Sequence, residues 1–151
     1  VPAGVDTGNQ LRISGKGDKG INGGPNGDLY LEFYVKDHPL FIRDDCDIYL
    51  ELPITITDAV LGCKRDIPTL NGTVKLTIPA GSATNDKHRL KGKGIENLHS
   101  HSKGDMYVVL KVVTPSKLTK EQKKLFEELA KTDLETSSDF KNIKDYLAKS
   151  K

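Results

Sequence analysis

No stretch of this sequence approaches the roughly 18–20 consecutive apolar residues that cross a bilayer, and no signal peptide is visible at its start. Charge of one sign is lacking too. Its 23 basic and 21 acidic side chains leave a net +2, so no global field calls for a nucleic-acid or membrane partner. Cysteine is scarce: Cys46 and Cys63 cannot build a disulfide scaffold, and they read as thiols in a reducing cytoplasm. No Ser/His/Asp or Cys/His arrangement stands out, and no paired acid and base recurs, so nothing calls for an enzyme. An apolar fraction of 36% against 29% charged residues suits a soluble protein with a thin core.

What is present is a repeat. Val1-Pro2-Ala3-Gly4 returns as Ile78-Pro79-Ala80-Gly81, about 77 residues on and without a gap. In the same register Arg12…Gly15-Lys16-Gly17 returns as Arg89…Gly92-Lys93-Gly94, and Gly27-Asp28-Leu29-Tyr30 as Gly104-Asp105-Met106-Tyr107. One structural unit is used twice. Residues Leu40 to Thr77 precede the second copy and belong to its unit, whereas nothing precedes the first. The expectation is a piece of a longer protein that starts inside its first β unit, so the missing leader says little.

The first 115 residues alternate apolar and polar with a period of two. The pattern predicts half-buried strands at Leu11 and Ile13, at Leu29 to Phe33, at Ile48 to Leu52, at Val74 to Ile78 and at Met106 to Val112. Asn71-Gly72 reads as the two central residues of a hairpin turn, both with positive φ. A short helical turn is expected at Asp58 to Leu61, capped by Thr57 and stopped by Gly62. After Pro115 the character changes: Thr119 and Gln122 form a capping box, and Leu125, Phe126, Leu129 and Ala130 make one apolar stripe. Beyond a polar break at Thr132 to Asp139, a weaker amphipathic stretch carries Phe140, Ile143 and Leu147.

Several motifs read better as structure than as chemistry. Gly15-Lys16-Gly17-Asp18-Lys19-Gly20 matches the letters of a phosphate loop, but Ile21-Asn22-Gly23-Gly24-Pro25 cannot start the helix such a loop requires. His99-Ser100-His101 lacks a third metal ligand at a supporting spacing, with His88 left open, and reads better as solvated loop histidines. Asp44-Asp45-Cys46-Asp47 lacks the glycine and closing glutamate of a calcium loop and reads as a polar turn before a strand. The basic stretch Lys87 to Lys103 has only Tyr107 nearby to stack on a base, so it reads as a solvated loop.

Laid out in order, the motifs resemble the C-terminal region of DnaJ-type co-chaperones, and bacterial members most. The resemblance rests on Val/Ile-Pro-Ala-Gly at 1–4 and 78–81, and on Asp37-His38-Pro39-Leu40-Phe41 leading to Arg43-Asp44. It continues through Ala59-Val60-Leu61-Gly62, Ile67-Pro68-Thr69-Leu70-Asn71-Gly72 and Thr114-Pro115, and weakens only after about Asp133. It implies a mainly β chain of two tandem β-sandwich-like domains, the first incomplete, followed by a short helical dimerisation segment. The expected divisions are 1–38 and 39–115 for the β domains and 116–151 for the helical segment and tail. Such proteins hold unfolded or extended hydrophobic polypeptides and deliver them to a DnaK-type chaperone. Their J domain and zinc module are not represented: His38-Pro39 is followed by Leu40, and two scattered cysteines make no Cys-x-x-Cys pair. No cofactor is therefore expected in this piece, with zinc left to the full-length protein.

The resemblance also implies a shallow apolar groove on the first β domain for client side chains. The matching positions here are Leu11, Ile13 and Phe41, with Leu31 and Phe33 as further candidates. Dimerisation would fall to Leu118, Leu125, Phe126 and Leu129. Two other readings compete: a spacer or assembly module that ignores unfolded client, and a nucleotide-binding protein built on Gly15 to Gly20.

Overall fold

The computed structural model describes residues 3–8, 10–13, 27, 29–32 and 37–150. The chain divides into two compact units, Val1–Thr114 and Pro115–Lys151. Phe33, Asp28 and the Gly15 to Gly20 motif lie outside the described residues. Where the strands at the start of the chain are described, they form a hairpin: β1 (Gln10–Ile13) pairs antiparallel with β2 (Leu29–Glu32).

The rest of the first unit is built on a four-stranded sheet. Its strands are β3 (Phe41–Asp44), β4 (Asp47–Ile54), β7 (Lys87–Leu90) and β8 (Met106–Val112), in the order β3-β4-β8-β7. The central pair, β4 and β8, runs parallel, and both outer pairs are antiparallel. Between β4 and β7 come a short helix, α1 (Ile56–Leu61), and a long hairpin of β5 (Cys63–Thr69) and β6 (Gly72–Ile78).

The period of two explains the core. Ile48, Leu50 and Ile54 of β4 point the same way as Met106, Val108 and Leu110 of β8, and Ile67, Ile78 and Ala59 close over them. These side chains are at most 4% exposed, and each contributes roughly 1.5–3 kcal/mol by leaving water, with Ala59 less. The opposite face of the sheet stacks Tyr49 on Tyr107, ring centroids 5.1 Å apart, with Lys87 over the Tyr49 ring.

Two local expectations need correction. Helix α1 begins at Ile56 and is capped by Thr55, not Thr57. Thr55 Oγ1 accepts from Asp58 N while the Asp58 carboxylate accepts from Thr55 N, a reciprocal box that Thr57 cannot close because Val60 stands three residues on. The Asp58 carboxyl sits below its ordinary value, chiefly through its bond with Arg65. In the β5–β6 hairpin the pair Thr69↔Gly72 encloses Leu70-Asn71 as the turn, one residue earlier than expected. Only Gly72 takes positive φ, at 101°, which fits a turn closed by a glycine at the strand's first position. The polar turn at Asp45-Cys46 stands where expected, between β3 and β4, with Asp45 at φ 56.

In its second copy the repeated motif forms a structural lock. Asp105 accepts from the backbone N–H of Gly92 at 2.9 Å and from Arg89 Nε and Nη2, each at 2.7 Å. The Gly92 N–H, and then the Arg89 guanidinium, hold the Asp105 carboxyl below the ordinary carboxylate value. Gly94 and Gly104 pack so closely on the Cys46 carbonyl that neither has room for a Cβ. The segment Gly92 to Asp105 is therefore pinned to the β3–β4 turn.

The second unit holds two helices, α2 (Lys120–Ala130) and α3 (Ser138–Lys149), neither with a buried residue. Thr119 and Gln122 form the expected capping box on α2. Among the described residues no helix is long and apolar enough to cross a membrane. Cys46 and Cys63 are separate, half-buried thiols.

Candidate functional site

Among the described residues strand β3 lies at the edge of its sheet, and a groove of about 640 Å³ opens beside it. Phe41, Ile42, Ile48, Leu70 and Ile95 supply its apolar lining, and Asp6, Thr7, Asp37, His38 and Arg43 its polar lining. Its volume falls within the roughly 300–1,000 Å³ of ordinary ligand pockets. Phe41 is half-buried, while Ile42 and Leu70 are exposed. Ile48 forms a floor at 1% exposure and belongs to the core beneath.

The approach to β3 is set by His38. Its Nδ1 accepts from the N–H of Leu40 at 3.0 Å and that of Phe41 at 3.4 Å. The ring then rests against Phe41, centroids 4.7 Å apart. Asp37-His38-Pro39-Leu40-Phe41 is thus a turn that delivers Phe41 to the groove. Arg43 also lines the groove. Its guanidinium donates to the carbonyls of Gly4 at 2.9 Å, Val5 at 2.6 Å and Asp45 at 2.7 Å, and its Nε lies 3.2 Å from Asp6 Oδ2.

Of the candidate client-binding residues, Phe41 lines this groove. Leu11 stands opposite Leu31 in the β1–β2 hairpin and Ile13 opposite Leu29, while Phe33 is outside the described residues. Sequence reasoning missed Ile42, Arg43, Leu70, Ile95 and Asp6, which come together only through the fold. The groove has Ile48 as an apolar floor, β3 beside it, and a lining divided evenly between apolar and polar residues. The basic stretch is partly engaged: Arg89 is tied to Asp105 and Lys87 lies over Tyr49. His99 and His101 are exposed, and His101 Nδ1 is 3.4 Å from Glu96.

In the second unit three of the four candidate dimerisation residues are exposed. Leu118, Leu125 and Leu129 are 41%, 58% and 48% exposed, while Phe126 is half-buried.

Comparison with known proteins agrees with the resemblance. Residues 1–115 match the model of the DnaJ C terminal domain. A protein named "Chaperone protein DnaJ" from a Geobacillus species is 54% identical over 128 residues, covering 85% of this chain and 34% of that protein. Its namesake from Geobacillus thermodenitrificans is 51% identical over 139 residues, 92% of this chain and 36% of the relative. The Bacillus licheniformis protein of that name is 52% identical over 130 residues, covering 86% and 35%. The chain spans about a third of the length of these relatives. With three quarters of its length matched by one family model and about half of its residues shared with these relatives, the chain belongs to the DnaJ C-terminal domain family.

Proposed function

We propose that this chain is a client-binding part of a cytoplasmic co-chaperone, taking extended apolar segments of unfolded polypeptide and presenting them to a DnaK-type partner. The observation that carries the reading is the groove beside β3, with Phe41, Ile42 and Leu70 at its surface on the edge of a sheet. An edge strand offers main-chain hydrogen bonds to any sequence, and the apolar lining rewards any large aliphatic or aromatic side chain. That combination gives broad, weak selectivity, which is what a protein that must hold many different unfolded chains requires. Leu11, Ile13, Leu31 and Phe33 remain candidates for a further stretch of the same track. The activity is binding rather than catalysis, and no cofactor takes part in it.

Two copies pair through α2 in this reading. A single three-turn helix with Leu125 and Leu129 about half exposed gains little stability alone, and an isologous pairing covers both stripes at once. Two linked copies then hold one long client at two points, which raises its apparent affinity without new contacts.

The test is aggregation. The chain at a few-fold excess should slow light scattering by a chemically unfolded protein on dilution, and should bind reduced, carboxymethylated lactalbumin by fluorescence anisotropy. A spacer or assembly module would dimerise yet ignore both.

A further inference from the structure

The two copies of the Pro-Ala-Gly turn are used in different ways. Gly4 and Gly81 both take positive φ, 87° and 77°. Around Gly81 there is open space where a Cβ would stand, and its N–H bonds to the Val60 carbonyl at the end of α1. Gly4 instead lies directly against the backbone of Glu96, so that a Cβ there would overlap the Glu96 carbonyl oxygen. The carbonyls of Gly4 and Val5, the next two along the chain, are taken up by Arg43.

The parts that receive this turn are themselves fixed. Ile95 N donates to the Cys46 carbonyl at 2.7 Å, Gly94 N to Gly104 and Gly104 N to Ile95, each at 2.9 Å. Arg43 Nε reaches Asp45 in the same β3–β4 turn. Three segments far apart in sequence thus meet in one rigid knot: the turn at Gly4, the turn at Asp45-Cys46 and the segment beyond Gly92. The groove lies beside this knot and takes lining residues from each part of it: Asp6 and Thr7 after the Gly4 turn, Arg43 before the Asp45-Cys46 turn, and Ile95 beyond Gly92.

We propose that Gly4, Arg43 and the Glu96 backbone form a fixed joint that sets the width of the groove. Arg43 is a positioning residue for client binding, and this role rests on the reading of the groove given above. A planar guanidinium suits the task because it donates along several fixed directions at once, which neither a lysine nor a glutamine does. A wall held in place before the client arrives spares the binding energy that ordering it would consume.

The matched pair Gly4→Ala and Gly81→Ala tests the joint. Both variants force alanine into a positive-φ turn, but only the first drives a Cβ into the Glu96 carbonyl. The heteronuclear NOE of the Val5–Thr7 amides reports the joint, and anisotropy with fluorescein-labelled, reduced and carboxymethylated lactalbumin reports the groove. Gly4→Ala and Arg43→Gln should lower the NOE at Val5–Thr7 below that of β4 and weaken lactalbumin binding by about tenfold, the cost of ordering a few residues. Gly81→Ala should leave both unchanged. If Val5–Thr7 stay as rigid as β4 in Gly4→Ala and Arg43→Gln, or loosen equally in Gly81→Ala, the joint is overturned. A loosened joint with undiminished affinity overturns the positioning role. If the unmodified chain binds no lactalbumin, client binding fails, while the NOE still decides the joint.

Discussion

Truncating Phe41 to alanine separates a groove residue from a core residue by magnitude. A fully buried phenylalanine costs about 3–5 kcal/mol on truncation. Phe41 is half-buried on a four-residue edge strand, so roughly half of that, about 2 kcal/mol, is expected. The matched core change is Leu110→Ala, at 0% exposure in the middle of the sheet and away from the groove. Its three lost carbons remove about 2.4 kcal/mol of transfer free energy, and the cavity raises the cost to about 3–4 kcal/mol. In client binding the order reverses. If a client side chain covers about 60 Å² of the Phe41 ring, its loss removes about 1.5 kcal/mol, or roughly tenfold in affinity. Thermal unfolding gives the first quantity and anisotropy at 10–15 °C, with both variants folded, gives the second. Phe41→Ala should melt higher than Leu110→Ala yet bind about tenfold more weakly. Phe41→Ala that melts as low as Leu110→Ala and binds as well as the unmodified chain would place Phe41 in the core and refute its role.

Phe126→Asp should sediment as monomer at concentrations where the unmodified chain is a dimer; equal sedimentation of both as monomers would mean that α2 does not pair. Asp105→Asn removes a carboxylate whose folded pKa is depressed by the Gly92 N–H and by Arg89. A depressed pKa stabilises above the unfolded value and loses that stabilisation as pH falls through the folded one. The variant should accordingly be less stable than the unmodified chain at neutral pH, with the gap closing below about pH 4; a gap independent of pH would contradict the lock. Neither zinc nor nucleotide should be needed for folding, so chelator should leave the melt unchanged, and stoichiometric zinc lost together with structure would overturn this.

Much of the fold was legible because period-two alternation and half-buried strands are one fact seen twice. β4, β6 and β8 stand where Ile48 to Leu52, Val74 to Ile78 and Met106 to Val112 placed them. The edge strands β3 and β7 were not read. Four residues such as Lys87-His88-Arg89-Leu90 hold too little alternation to rise above a loop. The start of α1 was missed although its signal was present, since Asp58 stands three residues after Thr55 and no acceptor stands three after Thr57. The repeat announced a structural unit, but not that Asp105 would lock onto Arg89 and the Gly92 N–H. The resemblance pointed to Phe41, but for a groove on the first β domain; the groove beside β3, in the sheet with β4, β8 and β7, was not legible. Leu70, Ile95 and Asp6 reach Phe41 across dozens of residues of chain, and Arg43 meets Gly4 over a separation of 39. Single-chain periodicity carries no information about such meetings.

Methyl NMR of the isoleucines during titration with unfolded lactalbumin tests client capture at the groove most directly. Ile42 and Ile95 line the groove, whereas Ile54, Ile67 and Ile78 are at most 3% exposed in the core. Capture beside β3 should shift and broaden Ile42 and Ile95 while leaving the three core methyls in place. Shifts confined to other residues, or none at all at saturating lactalbumin, would contradict it.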